Sequence, residues 1–181
     1  MREIEIKARV KDLKKLEETI TDKGIKIGKE LKQHDVVYGE VGDLPNGYGH
    51  RWLRIRTENS TKVYFTYKQS IVGHLDSLEH EIVVDSAEEL EAIIKALGFK
   101  PYSDLTKVRR KFKVGEVEVC VDSLPRLGDY IEAEKMSSQD DDHDEVVKEL
   151  WELLNSYGIN KTDEEHDGYD VLDRRAKGLV N

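Results

Sequence analysis

The chain has one cysteine, no apolar run near the roughly 20 residues that span a bilayer, and no surplus of positive charge. Cys120 has no second thiol to join, so an internal disulfide is excluded. The opening Met1-Arg2-Glu3-Ile4-Glu5 carries no apolar signal segment, and together with the lone thiol it points to the cytoplasm. A formal net charge of −9 weighs against duplex nucleic acid, because that binding draws on a cationic surface displacing counterions. There is no Gly-x-x-x-x-Gly-Lys-Ser/Thr loop, which excludes a P-loop, and the six histidines show no metal-ligand spacing. No linker divides the chain, so a single domain over 1–181 is expected. Apolar residues make up 38% against 37% charged, a balance that suits a folded protein only if the apolar residues are periodic.

They are. Ile4, Ile6 and Ala8 alternate with Glu3, Glu5, Lys7 and Arg9, giving a strand with one apolar and one ionic face. Leu13, Leu16 and Ile20 then take helical spacing up to Gly24. A strand is expected within 25–38, followed by a turn-rich loop over 42–49 around Pro45-Asn46-Gly47. Segments 52–58 and 62–68 flank Asn59-Ser60-Thr61 as a hairpin, and 79–84 is a further strand. Ser86-Ala87-Glu88-Glu89 is a capping box opening a helix whose Leu90, Ile93, Ile94 and Leu97 share a face before Gly98. Strands over 107–113 and 116–122 surround Val114-Gly115, with Val117, Val119 and Val121 on one side and Glu118, Cys120 and Asp122 on the other. A last strand over 130–135 leads to a helix carrying Val146, Val147, Leu150, Leu153 and Leu154, whose acidic start at 140–144 suits the positive end of the macrodipole. The class is α+β.

Glu-x-Glu recurs three times on these strands, as Glu3 and Glu5, Glu79 and Glu81, and Glu132 and Glu134, each followed by a helix and a glycine before an apolar residue. Residues two apart on a strand face the same side, so each motif sets two carboxylates together. Cations recur with the same period: Arg54 and Arg56, Lys62 and Lys68, then Lys107, Arg109 and Lys111. Taken singly, each is an ordinary amphipathic strand with one solvated face. Taken together, they describe an interior holding both signs of charge, which requires a sheet closed into a barrel with helices over its apolar outside. Carboxylates suit hard ions such as Mg²⁺ or Mn²⁺, and Arg and Lys suit phosphoryl oxygens, so the set points to a metal-polyphosphate site.

Two other features are set aside. Asp140-Asp141-Asp142-His143-Asp144 resembles a calcium loop but lacks its glycine and its terminal glutamate, and reads as a solvated helix start. Cys120, among valines, reads as core or cavity wall.

Glu3-Ile4-Glu5-Ile6-Lys7 resembles the Glu-x-Glu-x-Lys signature of the CYTH superfamily, the triphosphate tunnel metalloenzymes. The resemblance continues through Leu53-Arg54-Ile55-Arg56, Thr66-Tyr67-Lys68, Glu79-His80-Glu81, Lys107-Val108-Arg109, Val121-Asp122 and the stretch from Leu127 through Glu132 to Glu134. The block over 107–134, with Gly168-Tyr169-Asp170-Val171-Leu172, is most similar to the class IV adenylyl cyclase branch. The resemblance implies an eight-stranded antiparallel tunnel, a bound triphosphate and one or two divalent ions, Mg²⁺ or Mn²⁺. It implies phosphate binding by Lys7, Arg54, Arg56, Lys68, Lys107 and Arg109, and metal binding by Glu3, Glu5, Asp122, Glu132 and Glu134 with Glu79 and Glu81 in support. Glu5, Asp122 and Glu134 are the expected catalytic set, and a homodimer is compatible with the family. Asp35-Val36-Val37-Tyr38 departs from the family's Asp-Ile-Tyr-like segment. The expected activity is metal-dependent hydrolysis of a triphosphate, with cyclisation of ATP or polyphosphate sensing without catalysis as alternatives.

Overall fold

In strand β1 (Arg2–Val10) both faces are sealed: Ile4, Ile6 and Ala8 on one side, Glu3 and Lys7 on the other. A strand buries ionic side chains only if that face looks into an enclosed polar space. The computed structural model describes residues 2–40, 51–71, 75–138 and 140–179, and it closes such a space. Strands β2 (Leu31–Glu40), β3 (Arg51–Glu58), β4 (Lys62–Ser70), β5 (Asp76–Val84), β6 (Phe99–Val114), β7 (Val117–Leu124) and β8 (Gly128–Ser137) join β1 in a closed barrel. Its order is β1-β5-β4-β3-β2-β6-β7-β8, and every pairing is antiparallel. The β1–β8 register sets Glu5 opposite Glu134 and Lys7 opposite Glu132. By contrast, β1 meets β5 only through Arg2, Glu3 and Ile4. The loop expected over 42–49 lies outside the described residues.

Helices cover the apolar outside. The amphipathic faces of α1 (Leu13–Asp22) and α3 (His143–Asn155) bring Leu16, Ile20, Leu150, Trp151 and Leu154 against Ile4, Ile6, Val119, Val121, Ile131 and Ala133. Each such side chain is worth about 1.5–3 kcal/mol of burial, which is what pins the ionic faces inward. Ile94 of α2 (Ala87–Ala96) does the same against Leu53, Ile55 and Val63. Ser86 caps α2 and Asp142 caps α3, so the acidic run is indeed a helix start. The glycines that end the three repeats have positive φ, 76° at Gly24, 93° at Gly98 and 83° at Gly158, the left-handed stop that L side chains resist.

Three details differ from the expectation. Strand β6 begins at Phe99, well before 107; Pro101 hides its start and sits opposite Tyr38, where the β2 register shifts after Val37. A fourth helix, α4 (Tyr169–Ala176), packs Tyr169 and Leu172 on Leu105, Leu124 and Tyr130. Lys62 keeps the inward parity of Lys68 but lies exposed beside the hairpin turn, 4.6 Å from the Tyr64 ring centroid.

Candidate active site

The barrel encloses a cavity of about 420 Å³. Its wall carries the acids and bases singled out from the sequence except Asp122 and Lys62: Glu3, Glu5 and Lys7 from β1; Arg54 and Arg56 from β3; Lys68 from β4; Glu79 and Glu81 from β5; Lys107, Arg109 and Lys111 from β6; Glu132 and Glu134 from β8. Strand alternation places all of them, since within each strand they sit two residues apart and share one face.

The charges are not evenly mixed. On one side Arg109 grips Asp122 with two nitrogens, at 2.7 and 2.5 Å, and reaches Glu132 as well. Lys107 Nζ lies 3.2 Å from Asp122, and Lys7 Nζ lies 3.3 Å from Glu132. Arg56 holds Asp35 through two hydrogen bonds of 2.7 Å. Burial opposes ionisation of Asp122, Glu132 and Asp35, yet the guanidiniums outweigh it and keep all three below the usual carboxylate range. Lys107 is the least compensated of these cations. Burial first, and then the neighbouring Arg109 and Arg56, hold Lys107 down to about 8 despite Asp122 beside it.

The opposite imbalance holds where Glu3, Glu5 and Glu134 meet. Burial first, then the neighbouring carboxylates, push each of them up to about 7, although Lys68 faces Glu3, Lys7 faces Glu5 and Arg109 opposes the shift of Glu134. Nearby, Lys68 contacts Glu3 and Glu79, the latter at 2.6 Å, while Arg54 and the Thr66 hydroxyl serve Glu81, at 3.4 and 2.8 Å. Glu79, paired this way against its burial, falls to about 2. Three under-compensated carboxylates beside a basic wall whose Lys107 is under-compensated in turn form a site that a divalent cation and a polyanion would each complete.

Asp122 is completely buried, holds Arg109 and Lys107, and does not reach the cavity surface. Glu118, Cys120 and Glu134 bring ligand atoms within 4.8 Å of one another. Their chemistry does not suit a hard ion, because Glu118 is tied to Lys111 and burial pushes the Cys120 thiol well up, keeping it protonated. Tyr38 faces outward into the cluster under α2 and donates to Glu91 Oε1 at 3.1 Å, so it is no part of the cavity. Val37 and Trp52 line the wall instead.

Asp35, Glu118, Tyr169 and Asp170 also line the cavity. Strand parity in the sequence sets Lys111 with Lys107 and Arg109 and Glu118 with Asp122, whereas Asp35 stands out only in the segment that departs from the family pattern. Tyr169 and Asp170 arrive from α4, beyond the last strand; the sequence marks their segment only through the family resemblance, with no periodicity to turn them inward.

The CYTH domain model matches residues 1–169. A Methanocaldococcus jannaschii protein named "Putative adenylate cyclase" is 31% identical over 163 residues, 89% of this chain and 92% of that one. Among solved structures, a Pyrococcus horikoshii protein is 28% identical with a TM-score of 0.80, covering 99% of each chain. A Hippeastrum protein described as having a dominant triphosphatase activity is 16% identical, with a TM-score of 0.61 over 99% of this chain and 97% of that one; at that distance the likeness is one of fold.

Proposed function

This chain belongs to the CYTH family, a metal-dependent triphosphate tunnel family, and from that premise we propose that it hydrolyses a small triphosphate such as inorganic triphosphate. The observation that carries the reading is the polarised cavity, with Glu3, Glu5 and Glu134 short of positive charge and Lys107 short of negative charge.

Oxygen donors in a buried, under-neutralised set fit Mg²⁺ or Mn²⁺, which Glu3, Glu5 and Glu134 would hold with Glu132 at their edge. Such an ion supplies Lewis-acid charge to phosphoryl oxygens. Lys7, Lys107, Arg109, Arg56, Arg54 and Lys68 bind and orient the phosphate chain and stabilise charge on the leaving phosphate. Asp122 and Asp35 act through their cations as positioning residues: both hold a guanidinium by its Nε and a terminal nitrogen, which fixes the plane of the fork. Glu79 holds the Lys68 ammonium at 2.6 Å, and Glu81 reaches one terminal nitrogen of Arg54 at 3.4 Å.

A second reading, cyclisation of ATP, has its own support in the buried Trp52 and Val37, an apolar stretch of wall against which a nucleobase could pack, and in the name of the Methanocaldococcus relative. Analysis of products from ATP separates the two. Hydrolysis gives ADP and orthophosphate; cyclic AMP with pyrophosphate as the main products would replace the first reading with the second.

The acids also set a pH dependence. Glu3, Glu5 and Glu134 sit at about 7 in the fold against 4.5 for the ordinary group, so their contribution to stability is full below about 4.5 and is lost as pH rises through about 7. Asp35, Glu79 and Glu132, pulled down by their cations, contribute above their unfolded values and lose that contribution as pH falls. An ion bound by the first group offsets its loss, so Mg²⁺ or Mn²⁺ raises the melting temperature more at pH 8 than at pH 5.5. An equal rise at both pH values, or none at pH 8, contradicts the assignment.

A further inference from the structure

Tyr169 is the first residue of α4 and lines the cavity, yet its hydroxyl is sealed from solvent and has no hydrogen-bond partner among the described residues. Buried hydroxyls left without a partner are rare, and an orphan of this kind is explained by a group the site is built to receive. The ring is held rigidly: Tyr130 packs edge-on at 5.2 Å between centroids, and Leu172 and Leu105 belong to the same cluster. Lys7 Nζ lies 4.3 Å and Lys107 Nζ 4.7 Å from the ring centroid. These two ammoniums already carry the phosphate-binding role under the reading above. The charges that act on the hydroxyl are those of Asp122, Glu132 and Glu5, opposed by Arg109.

We propose that the Tyr169 hydroxyl is a direct ligand of the bound polyphosphate, donating a hydrogen bond to a phosphoryl oxygen held between Lys7 and Lys107. The inference rests on the triphosphate reading and adds a substrate contact drawn from the helix after the barrel. The chemistry fits in three ways. A phenol buried beside anions keeps its proton across the working pH range, because burial and then Asp122 and Glu132 push it far up, so it remains a donor. Phosphoryl oxygens accept such bonds with charge assistance. The aromatic face also stabilises both ammoniums, of which Lys107 has Asp122 as its one ion-pair partner among the described residues.

Phe at 169 removes the hydroxyl and keeps the ring, so the test compares Tyr169→Phe with the unaltered protein for binding and cleavage of inorganic triphosphate in the presence of Mg²⁺. Tyr169→Phe is expected to weaken binding roughly tenfold, the size of one lost hydrogen bond to a charged group, with KM rising in step. Its melting temperature without ligand should be unchanged or higher, since an unpaired buried hydroxyl is lost. Tyr169→Leu, which also removes the cation–ring contacts, should lower the melting temperature as well. If the unaltered protein binds and cleaves triphosphate and Tyr169→Phe matches it in affinity and KM, the hydroxyl is no ligand and the inference is overturned. If the unaltered protein neither binds nor cleaves triphosphate, the functional reading fails and takes the inference with it.

Discussion

Glu5→Gln and Glu134→Gln each lower triphosphate turnover by about 100-fold or more, while the melting temperature of the metal-free protein stays level or rises. The two carboxylates face each other across the β1–β8 register. The amide keeps the shape of the acid and removes the charge that would hold a divalent ion. Stability moves the other way because these acids are held up at about 7, by burial first, with Glu132 adding to the shift of Glu5 and Glu5 adding to that of Glu134. Neutralising them relieves a burial penalty. Glu149→Gln, at the exposed Lys135 pair outside the barrel, serves as the control and leaves turnover unchanged. Normal turnover in both active-site variants would remove them from the metal set.

Arg109→Met should behave in the opposite manner, with the largest loss of stability expected from any single cavity substitution. Its guanidinium holds Asp122 and Glu132, and both acids are buried in the wall. Taking one partner from a buried ion pair costs about 3–5 kcal/mol, because the remaining charge stays desolvated. Lys107 and Lys7 still lie at 3.2 and 3.3 Å from those acids and hold the effect toward the lower end of that range. Urea denaturation measures it, and adding Asp122→Asn to the variant should restore part of the loss, since the two residues act as one unit. A loss below about 1 kcal/mol for Arg109→Met would mean that the buried network is not what holds this wall in place.

These variants touch both what could be read from the chain alone and what could not. Strand parity told which side chains share a face, and that was enough to gather Glu3, Glu5, Lys7, Arg54, Arg56 and Lys68 into one cavity. Parity carries no depth. Asp122 has the same inward phase as Glu118, yet it is fully sealed behind Arg109 and Lys107 and pairs with both.

Asp35 was legible only as part of a segment departing from family pattern, and its grip on Arg56 depends on the β2–β3 register that sets them opposite each other. The outward Tyr38 follows from simple alternation with the inward Asp35 and Val37. Strand β6 was read short because Pro101 and its polar neighbours break the alternation where the register shifts. Helix α4 left little trace, because a short helix with charged residues on most sides shows no apolar period beyond Tyr169 and Leu172. Its inward contribution is a tertiary fact, set by where the chain returns after α3.

Release of orthophosphate from inorganic triphosphate, followed by phosphorus NMR on purified protein with Mg²⁺ or Mn²⁺ and again after chelation, tests the central claim most directly. The polarised cavity predicts cleavage to pyrophosphate and orthophosphate that stops when the ion is removed. Intact triphosphate in the presence of the ion, or cleavage that persists under chelator, would contradict it.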